Sequence, residues 1–490
     1  MQNSSPLQSA NHIPAIDRQD ERIKAFVLSV MERLDYEPNE EQLLALISLG
    51  HFVLYSPGDA VYVLGGYAGT GKTSLMGAAM HTLEQRRYKV VLLAPTGRAA
   101  HVFSEYARMP AFTIHRMIYR QDSYGGERFS LRENKLSDTL FVVDEASMIS
   151  NLSAGSPFGS GHLLDDLITF VYGGNNCRLL LMGDAAQLPP VGCGSSPALE
   201  SDTLMGYGLS VYSMQLREIA RQASESGILC NATLLRRAME DGELGRPQFD
   251  FEGFGDFAPL TSEFLLETLS DCYDRDGMSE TIVITRSNRR AGRFNMAVRN
   301  QVLYREELLQ SDDLLIVSKN NYFWAEEYDD VDFIANGDVC RVKRVWGDVE
   351  QLYGFSFANV TVTLPDHNNA EMDVKILLDC LTSDTPALSP EQEARLLGEV
   401  MAELSGNKRE RYMALKQHPY FNALQVKFGY AVTCHKAQGG QWKNVFIDAA
   451  AIAPEAMETM DFYRWLYTAI TRASERAYLI NWRNSEEEDF

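Results

Sequence analysis

A glycine-rich stretch, GGYAGTGKTSLM, constrains the fold of this 490-residue chain more than any other feature of its sequence. It contains the spacing G-x-x-x-x-G-K-T, after a predicted strand and before a predicted helix. In that context, backbone N–H groups and a helix N-terminus surround phosphate oxygens. The motif positions are Gly66, Gly69, Gly71, Lys72 and Thr73. The pattern predicts that Lys72 holds the β- and γ-phosphates of ATP and that Thr73 is a ligand of Mg²⁺.

Short apolar runs rich in Val, Ile and Leu recur along the chain, and each predicts a buried parallel strand. They are residues 60–64, 89–94, 140–143, 179–182, 281–285, 444–449 and 476–480. These runs, with helical patterns between them, predict an α/β fold of two parallel sheets with flanking helices. Residues 307–424 differ, because polar and apolar residues alternate there and predict a small antiparallel barrel, with a helical segment at 389–417. Residues 119–134, centred on Tyr-Gly-Gly, predict a β-hairpin.

Composition narrows the class of protein. The net charge of −22 argues against a nucleic-acid partner, yet a local basic groove can coexist with an acidic exterior. One locally basic region, for which solvated helix faces are the alternative, comprises Arg86, Arg87, Lys89, Arg98, Arg108, Arg116 and Arg120.

Targeting and redox signals favour a cytoplasmic protein, nucleoid-associated if the source is bacterial. No apolar run approaches the roughly 20 residues that span a bilayer. The first residues lack the basic and apolar regions of a secretory signal. The seven cysteines form no C-x-x-C pair, which argues against a disulfide framework or a zinc site.

Two further strand ends carry side chains suited to phosphoryl transfer. Asp144 follows the apolar run of LFVVDEAS, where a carboxylate can hold Mg²⁺ directly or through water. Glu145 beside it is the candidate proton acceptor for the attacking water. Gln187, in LLLMGDAAQLPPVG, is predicted at the same edge, where an amide can contact both the γ-phosphate and the water. Ordinary polar turns after strands are the structural alternative at both places.

Phosphoryl transfer also needs positive charge on the developing γ-phosphate oxygens. Arg221 in LREIARQ and Arg472 in LYTAITRA are the two candidates. A surface ion pair is the alternative role for either arginine.

Eight motifs together resemble the ordered set of superfamily 1 helicases, and the chain looks like their 5′→3′ branch, the RecD-like and Dda-like enzymes. They are GYAGTGKT, APTGRAA, TIHR, VVDEAS, GDAAQLPPVG, LREIARQ, YAVTCHKAQG and YTAITRA. The resemblance implies an ATP-dependent DNA helicase that translocates on single-stranded DNA and unwinds duplexes. It implies two RecA-like P-loop domains that bind ATP in their cleft and single-stranded DNA across their tops.

The same resemblance implies a domain plan. The expected parts are a disordered tail at 1–20, a first RecA-like domain at 21–220 with a hairpin at about 117–137, a second at 221–306 and 425–484, an inserted domain at 307–424 formed by an SH3-like barrel and a helical segment, and an acidic tail at 485–490. The expected partners are single-stranded DNA and its junctions with duplex DNA, bound by a monomer. The acidic tail is expected to be solvated, with recruitment of a replication or repair protein as the alternative.

Residue roles are carried over motif by motif. Arg221 and Arg472 match the two arginine fingers of the family, and Gln42 in NEEQ matches its adenine-reading glutamine. A helix capping box formed by Asn39 and Gln42 is the alternative for that position. Thr96, Arg98, Thr113 and His115 match residues that lie along the DNA track, although a lone histidine is more often a packed residue.

The remaining roles concern strand separation and coupling. Tyr124 or Phe129 of the hairpin could stack on the last base pair or simply pack the hairpin. In VTCHKAQGGQW, Thr433 and His435 would face the DNA backbone, while Gln438 and Gly439 would lie toward the γ-phosphate. Relatives commonly have Ser or Thr where this chain has Gly440.

Three other classes fit parts of the pattern. An RNA helicase or remodeller could use the same backbone contacts, and contact with a 2′-hydroxyl would discriminate it. A nucleotide-dependent switch would bind partners without translocating. A small-molecule kinase would not need the second α/β domain.

Overall fold

The computed structural model describes residues 20–121, 129–151, 158–219, 226–326, 328, 331, 333–449 and 452–482. The chain divides into two units, residues 1–225 and 226–490. Four predictions fall outside the described residues: Tyr124, Arg221, the acidic tail at 485–490, and the N-terminal tail apart from Asp20, which caps the first helix.

A six-stranded parallel sheet forms the centre of the first unit, in the order β3-β2-β6-β7-β1-β8 once its strands are numbered along the chain. The strands of this unit are β1 (Ala60–Gly66), β2 (Lys89–Ala94), β3 (Ala111–Thr113), β4 (Tyr119–Gln121), β5 (Phe129–Leu131), β6 (Thr139–Val143), β7 (Arg178–Gly183) and β8 (Ser210–Leu216). Its helices are α1 (Glu21–Met31), α2 (Glu40–Tyr55), α3 (Lys72–Gln85), α4 (Gly97–Ala107), α5 (Ile114–Ile118), α6 (Leu163–Gly173) and α7 (Ser201–Gly206).

Apolar residues explain why this sheet is covered on both faces. Every residue of β6 is buried, as is nearly all of β1, so neither strand alternates between core and solvent. Leu75 and Met80 of α3 pack into the same core as Leu46 of α2 and Leu180 of β7. The short strands β4 and β5 stand apart as an antiparallel pair, in which Gln121 is opposite Phe129.

The second unit contains a five-stranded parallel sheet, in the order β16-β10-β17-β18-β9 along the numbering below, and a separate closed barrel. Its strands are β9 (Phe257–Leu260), β10 (Thr281–Thr285), β11 (Leu314–Val317), β12 (Val339–Leu352), β13 (Phe355–Leu364), β14 (Ala370–Leu377), β15 (Leu424–Phe428), β16 (Ala431–Thr433), β17 (Trp442–Asp448) and β18 (Ala473–Ile480). Its helices are α8 (Gly227–Asp241), α9 (Leu265–Asp276), α10 (Asn288–Ala297), α11 (Asp379–Thr382), α12 (Pro390–Glu403), α13 (Lys408–Lys416), α14 (Cys434–Ala437), α15 (Pro454–Met457) and α16 (Met460–Ile470).

Strands β11 to β15 close the barrel, and the chain enters and leaves it between β10 and β16 of the sheet. Neighbouring barrel strands are antiparallel except β14 and β15, which run parallel. A parallel neighbour requires a crossover connection, and α11, α12 and α13 supply it here. The prediction of a purely antiparallel barrel was therefore wrong at this one pair.

The run VKFGYAV at residues 426–432 reads in the sequence as a single strand of the second sheet, but the structure divides it. Its first residues belong to β15 of the barrel, and only its last residues belong to β16 of the sheet. The N–H of Gly429 donates to Leu314 O of the barrel at 2.8 Å, whereas Tyr430 O accepts from Val283 N of the sheet at 3.0 Å. Consecutive residues thus pair with different sheets, so the barrel extends past the predicted boundary at 424.

A buried polar cluster, called the barrel root below, joins the two parts of the second unit. It comprises Arg299, Arg305, Asp313 and Tyr430. Arg299 Nε and NH2 each donate to the Asp313 carboxylate at 3.0 Å, and Arg305 NH1 donates to the same group. Tyr430 Oη donates to Asp313 Oδ1 at 2.8 Å and accepts from Leu314 N. The carboxylate of Asp313, directly before β11, therefore binds residues of both segments that connect the barrel to the sheet: Arg299 and Arg305 on one side, and Tyr430 on the other.

Among the described residues, no helix combines the length and the apolar character that crossing a bilayer requires.

Candidate nucleotide and nucleic-acid sites

The phosphate loop connects β1 to α3 in the first unit. Gly69 and Gly71 have φ values of 76° and 73°, in the left-handed region where a Cβ is unfavourable. Lys72 begins α3, and its Nζ donates to Gly66 O and, at 3.1 Å, to Tyr67 O. A Cβ at Gly66 would lie 2.7 Å from Lys72 Cδ, so glycine at that position leaves room for the lysine stem. The loop therefore has the geometry of a phosphate cradle with its ammonium group in place.

Thr73 and Asp144 meet at the base of this loop. Thr73 Oγ1 donates to Asp144 Oδ2 at 3.0 Å, although the two residues are far apart in sequence. Asp144 is buried, and this burial, with the nearby charge of Glu145, raises its pKa to about 6. Hydroxyl and carboxylate oxygens are ligands that Mg²⁺ accepts. These two side chains would hold the cation, with a nucleotide supplying further oxygens.

Glu145 follows Asp144 in an unusual backbone conformation. Its φ is 51°, which is uncommon for a residue with a Cβ. Its backbone N–H donates to Asp144 Oδ1 at 2.8 Å, which fixes the turn between them. Strained residues of this kind, which cost about 1–3 kcal/mol, often lie at functional sites.

Gln187 lies on the loop after β7 and is 5% exposed. Its Oε1 finds no hydrogen-bond partner among the described residues, although a lone buried acceptor costs roughly 1–3 kcal/mol. Strand β7 lies between β6 and β1 in the sheet, so Gln187, Asp144 and Lys72 follow three neighbouring strands. The carboxyl ends of parallel strands meet at one edge, and this edge is where α/β folds bind ligands. A bound water could donate to this oxygen.

Gln42 lies against the phosphate loop and also forms the capping box. Its Oε1 accepts from Asn39 N at 3.0 Å, its backbone N–H donates to Asn39 Oδ1 at 2.8 Å, and its Nε2 donates to Thr70 O at 2.9 Å. The capping box that was weighed for this position is therefore present, and the same side chain also contacts the phosphate loop. Adenine recognition by Gln42 stays a prediction.

The candidate DNA contacts of the first unit lie at the same sheet edge, after β2 and β3. Thr96 caps α4 by accepting from Ala99 N at 3.2 Å, and Thr113 caps α5 by accepting from Arg116 N at 3.2 Å. Arg98 lies in the first turn of α4 and is half-buried. Because β2 and β3 lie on the far side of β6 from β1, these residues follow the opposite half of the edge from the phosphate loop.

His115 packs within an aromatic group. Its ring lies edge-on to Phe158, with 4.7 Å between centroids, and near Tyr119 at 5.7 Å. Burial lowers the pKa of His115 to about 4, so its imidazole is neutral at physiological pH. If His115 contacts a DNA phosphate, its neutral imidazole can form a hydrogen bond with that phosphate but not an ion pair.

Phe129 also packs against Phe158, with ring centroids 4.8 Å apart, and it is half-buried. Tyr119 at the start of the antiparallel pair donates through Oη to Asp166 Oδ2 at 2.7 Å. These contacts attach β4 and β5 to the body of the unit. Phe129 therefore packs within its own unit, and its stacking on a base pair stays a prediction. Tyr124 lies outside the described residues.

In the second unit, the loop after β16 carries the predicted coupling residues. Thr433 ends β16 opposite Thr285 of β10, and His435 is exposed on α14. Partial desolvation lowers the pKa of His435. Gln438 is buried, and Gly439 has a φ of 73°, which explains glycine at that position.

Arg472 is buried against this same loop, which the motif order did not predict. Its Nε donates to Thr468 O at 3.2 Å and its NH1 donates to Gly440 O at 3.3 Å. The side chain is 4% exposed. An arginine-finger role would require these two hydrogen bonds to break.

The residues singled out from the sequence do not include a basic segment, residues 286–290, that directly follows β10. Arg290 forms a bidentate ion pair with Asp448, at 2.7 and 2.6 Å, and Arg286 lies over the rings of Phe462 and Trp465. This segment follows β10 at the edge where Thr433 follows β16. The available signal was the run TRSNRR directly after the strand TIVIT.

Comparison with known proteins identifies both units. The family described as an AAA domain matches residues 53–245, and the UvrD-like helicase C-terminal domain matches residues 428–480. The chain is 32% identical over 175 residues to the ATP-dependent RecD2 DNA helicase of Deinococcus radiodurans, covering 35% of this chain and 21% of that protein. It is 30% identical over 213 residues to the RecBCD enzyme subunit RecD of Mycobacterium tuberculosis, covering 38% and 34%.

These relatives are longer proteins, and the matches span about a third of their length or less. A crystal structure of Bacteroides Pif1 bound to ssDNA overlaps the chain with a TM-score of 0.45 and 17% identity, covering 91% of this chain and 93% of that one. The two family matches, the RecD relatives and the ordered motifs lead to one assignment. The chain thus combines an AAA domain over residues 53–245 with a UvrD-like helicase C-terminal domain over residues 428–480, and it is similar to RecD-like helicases.

Proposed function

We propose that this protein is an ATP-dependent DNA helicase that translocates 5′→3′ along single-stranded DNA and unwinds duplex DNA. The observation that carries the proposal is the hydrogen bond of 3.0 Å between Thr73 and Asp144, next to Lys72. Gln187 follows the strand between theirs, and its buried Oε1 has no partner among the described residues. Three neighbouring strands deliver these groups to one sheet edge. Their chemistry suits nucleoside triphosphate hydrolysis better than binding alone, because a proton acceptor and a water-positioning amide accompany the phosphate cradle.

Each side chain has a defined task in this proposal. Lys72 leaves the carbonyls of Gly66 and Tyr67 and binds the β- and γ-phosphate oxygens. Mg²⁺, held by Thr73 and Asp144, would neutralise charge on the phosphates. Glu145 accepts the proton of the attacking water, and Gln187 orients that water through its free Oε1.

Coupling to DNA is assigned to residues 432–442. Thr433 and His435 contact the DNA backbone, while Gln438 and Gly439 respond to the γ-phosphate. Arg472 supplies positive charge to the transition state after leaving the carbonyls of Thr468 and Gly440, and Arg221 is the second proposed finger. A change at the phosphate is then transmitted along one short loop.

Strand separation is assigned to the antiparallel pair of β4 and β5. Its anchoring through Tyr119 and Asp166 at 2.7 Å supports a rigid base for a pin. The closed barrel of β11 to β15 is proposed as the SH3-like inserted domain. The proposed partners are single-stranded DNA and its junctions with duplex DNA, bound by a monomer.

Lys72→Ala tests the phosphate site. Removing the ammonium group should lower the rate of ATP hydrolysis by a factor of about 100 or more, since it stabilises charge in the transition state. Binding of fluorescent single-stranded DNA should change little. Lys24→Ala, which removes an exposed lysine paired with Glu21, is the matched control. Hydrolysis that survives in Lys72→Ala would show that the site is misassigned.

Two assays on the unaltered protein test substrate and polarity. ATPase stimulation by single-stranded DNA, compared with RNA of the same sequence, separates a DNA helicase from an RNA remodeller, and no stimulation by either would indicate a nucleotide switch. Unwinding should occur on duplexes with a 5′ single-stranded tail. Unwinding only from a 3′ tail would contradict the proposed direction.

A further inference from the structure

Tyr36 places a buried hydroxyl beside the phosphate loop. The residue lies in the connection between α1 and α2, and its ring is half-buried. Its Oη is shielded from solvent, and no atom of the described residues is placed to form a hydrogen bond with it. A buried hydroxyl without a partner costs roughly 1–3 kcal/mol, so its position calls for an explanation.

The surroundings of this hydroxyl belong to the start of α3. A Cβ built at Gly71 would lie 3.3 Å from Tyr36 Oη and 3.0 Å from Gln42 Nε2. Burial raises the pKa of Tyr36, and the nearby Ser74 hydroxyl opposes that shift. The phenol therefore stays protonated at physiological pH and can act as a donor.

The groups around this hydroxyl do not satisfy it in the observed structure: Ser74 lies near it without the geometry of a hydrogen bond. Gln42 already uses its Oε1 on Asn39 N and its Nε2 on Thr70 O. Gly71 offers no side chain. A phosphate group at the N-terminus of α3 would bring acceptor oxygens to the same place, since helix N-termini and glycine-rich loops bind such groups.

We propose that the Tyr36 hydroxyl donates a hydrogen bond to the α-phosphate of the nucleotide bound in the phosphate loop. Lys72 and Thr73 serve the β- and γ-phosphates and the cation, whereas the Tyr36 hydroxyl lies beside Gly71 and Ser74, on the two sides of that pair. The assignment rests on the proposed nucleotide site. It adds a residue outside the eight motifs to that site.

The test compares Tyr36→Phe with the unaltered protein and with a matched control. Tyr62→Phe is that control, because Tyr62 Oη is also buried without a partner among the described residues but lies within β1, away from the loop. Isothermal titration with ADP should give about tenfold weaker binding for Tyr36→Phe, as expected for a hydrogen bond to a charged group. Tyr62→Phe should bind ADP like the unaltered protein. Thermal melting of each ligand-free variant checks that both are folded.

Titration with 2′-deoxy-ADP adds a second arm. If the acceptor is the α-phosphate, Tyr36→Phe should lose the same factor with this ligand as with ADP. A loss seen only with ADP would place the acceptor on the ribose and overturn the inference, as would equal ADP affinity in Tyr36→Phe and the unaltered protein. Failure of the unaltered protein to bind ADP would instead overturn the proposed function itself.

Discussion

Lys436 shows how burial alters one residue of the coupling loop. It follows His435 on α14 and is partly buried. Among the described residues, its Nζ has no hydrogen bond or ion pair. Burial, and then the positive charge of Lys427, lower the pKa of Lys436 to about 8. Its charged form is therefore less favourable in the folded protein than in the unfolded chain.

Lys436→Met should stabilise the second unit at pH 7. Between pH 8 and the ordinary lysine value of 10.5, the unfolded chain binds more protons than the folded protein, so the free energy of unfolding rises with pH across that window. Removing the amine should raise the free energy of unfolding at pH 7 by about 1–2 kcal/mol, allowing for partial solvent access. It should also flatten the rise toward pH 10.

Urea unfolding at pH 7 and pH 9.5 measures both effects. Lys443→Met is the control, since Lys443 is exposed and pairs with Glu475 at 3.3 Å. A Lys436→Met protein with an unchanged pH slope would contradict the assignment.

At the scale of single residues, the sequence predicted those site residues that can be recognised from the residues next to them in the chain. Lys72 and Thr73 belong to one short motif, and the apolar run before Asp144 placed it at a strand end. Tyr36 escaped prediction because nothing near it in sequence indicates that it lies beside Gly71. The burial of Arg472 against Gly440 also depends on tertiary packing.

At the scale of elements, the barrel root links the barrel to the second sheet. Asp313 is fully buried and accepts from Arg299, Arg305, Tyr430 and the backbone N–H of Gln310. Arg299 is 1% exposed and lies over the ring of Phe428, with 4.4 Å to its centroid. Removing one member of such a cluster leaves buried charge without compensation.

Asp313→Ala should lower the free energy of unfolding of the second unit by about 3–5 kcal/mol, because two arginines lose their shared carboxylate. Tryptophan fluorescence during urea unfolding reports on this unit, since it contains all five tryptophans of the chain. They are Trp324, Trp346, Trp442, Trp465 and Trp482. Asp373→Ala, which removes an exposed carboxylate bonded to Thr361, is the control and should cost far less. Equal loss in both variants would argue against the barrel root as a special site.

Long apolar runs predicted their strands well, and short edge strands were missed. The runs at 60–64, 140–143 and 281–285 coincide with β1, β6 and β10. Strands β3 and β9 have only three and four residues, too few for a recognisable pattern. Their pairing is determined by the strand beside them, which sequence reasoning could not identify.

At the scale of the whole molecule, the proposed function needs events at the phosphate loop and at the coupling loop to be linked. His435→Ala should reduce ATPase stimulated by single-stranded DNA about tenfold, as expected for loss of a good hydrogen bond to a phosphate. Basal ATPase should stay within about a factor of two, because His435 has no role in the hydrolysis chemistry proposed above.

Steady-state ATPase assays with and without single-stranded DNA measure both rates. His51→Ala, which removes an imidazole packed on Tyr55 in α2, is the control. Equal loss of basal and stimulated activity would indicate that His435 is merely structural.

The net charge of −22 was the least informative whole-chain quantity. Charge summed over the chain does not report where the cations lie. Arg98 of the first unit follows the carboxyl end of β2, and Arg286 and Arg290 of the second unit follow the carboxyl end of β10. The two-sheet plan was predictable because parallel strands have a strong pattern. The split of VKFGYAV between barrel and sheet was not, because it depends on which strand each residue pairs with.

The insertion of the barrel between β10 and β16 also has a consequence for synthesis on the ribosome. Both sheet neighbours of β10, the strands β16 and β17, are encoded after the barrel. As the chain emerges, the barrel is complete while β10 still has two unpaired edges, and exposed edges favour aggregation. Pairings between segments so distant in sequence form slowly. We therefore expect the barrel to fold first and the sheet to assemble around its two connections when the last strands have been made.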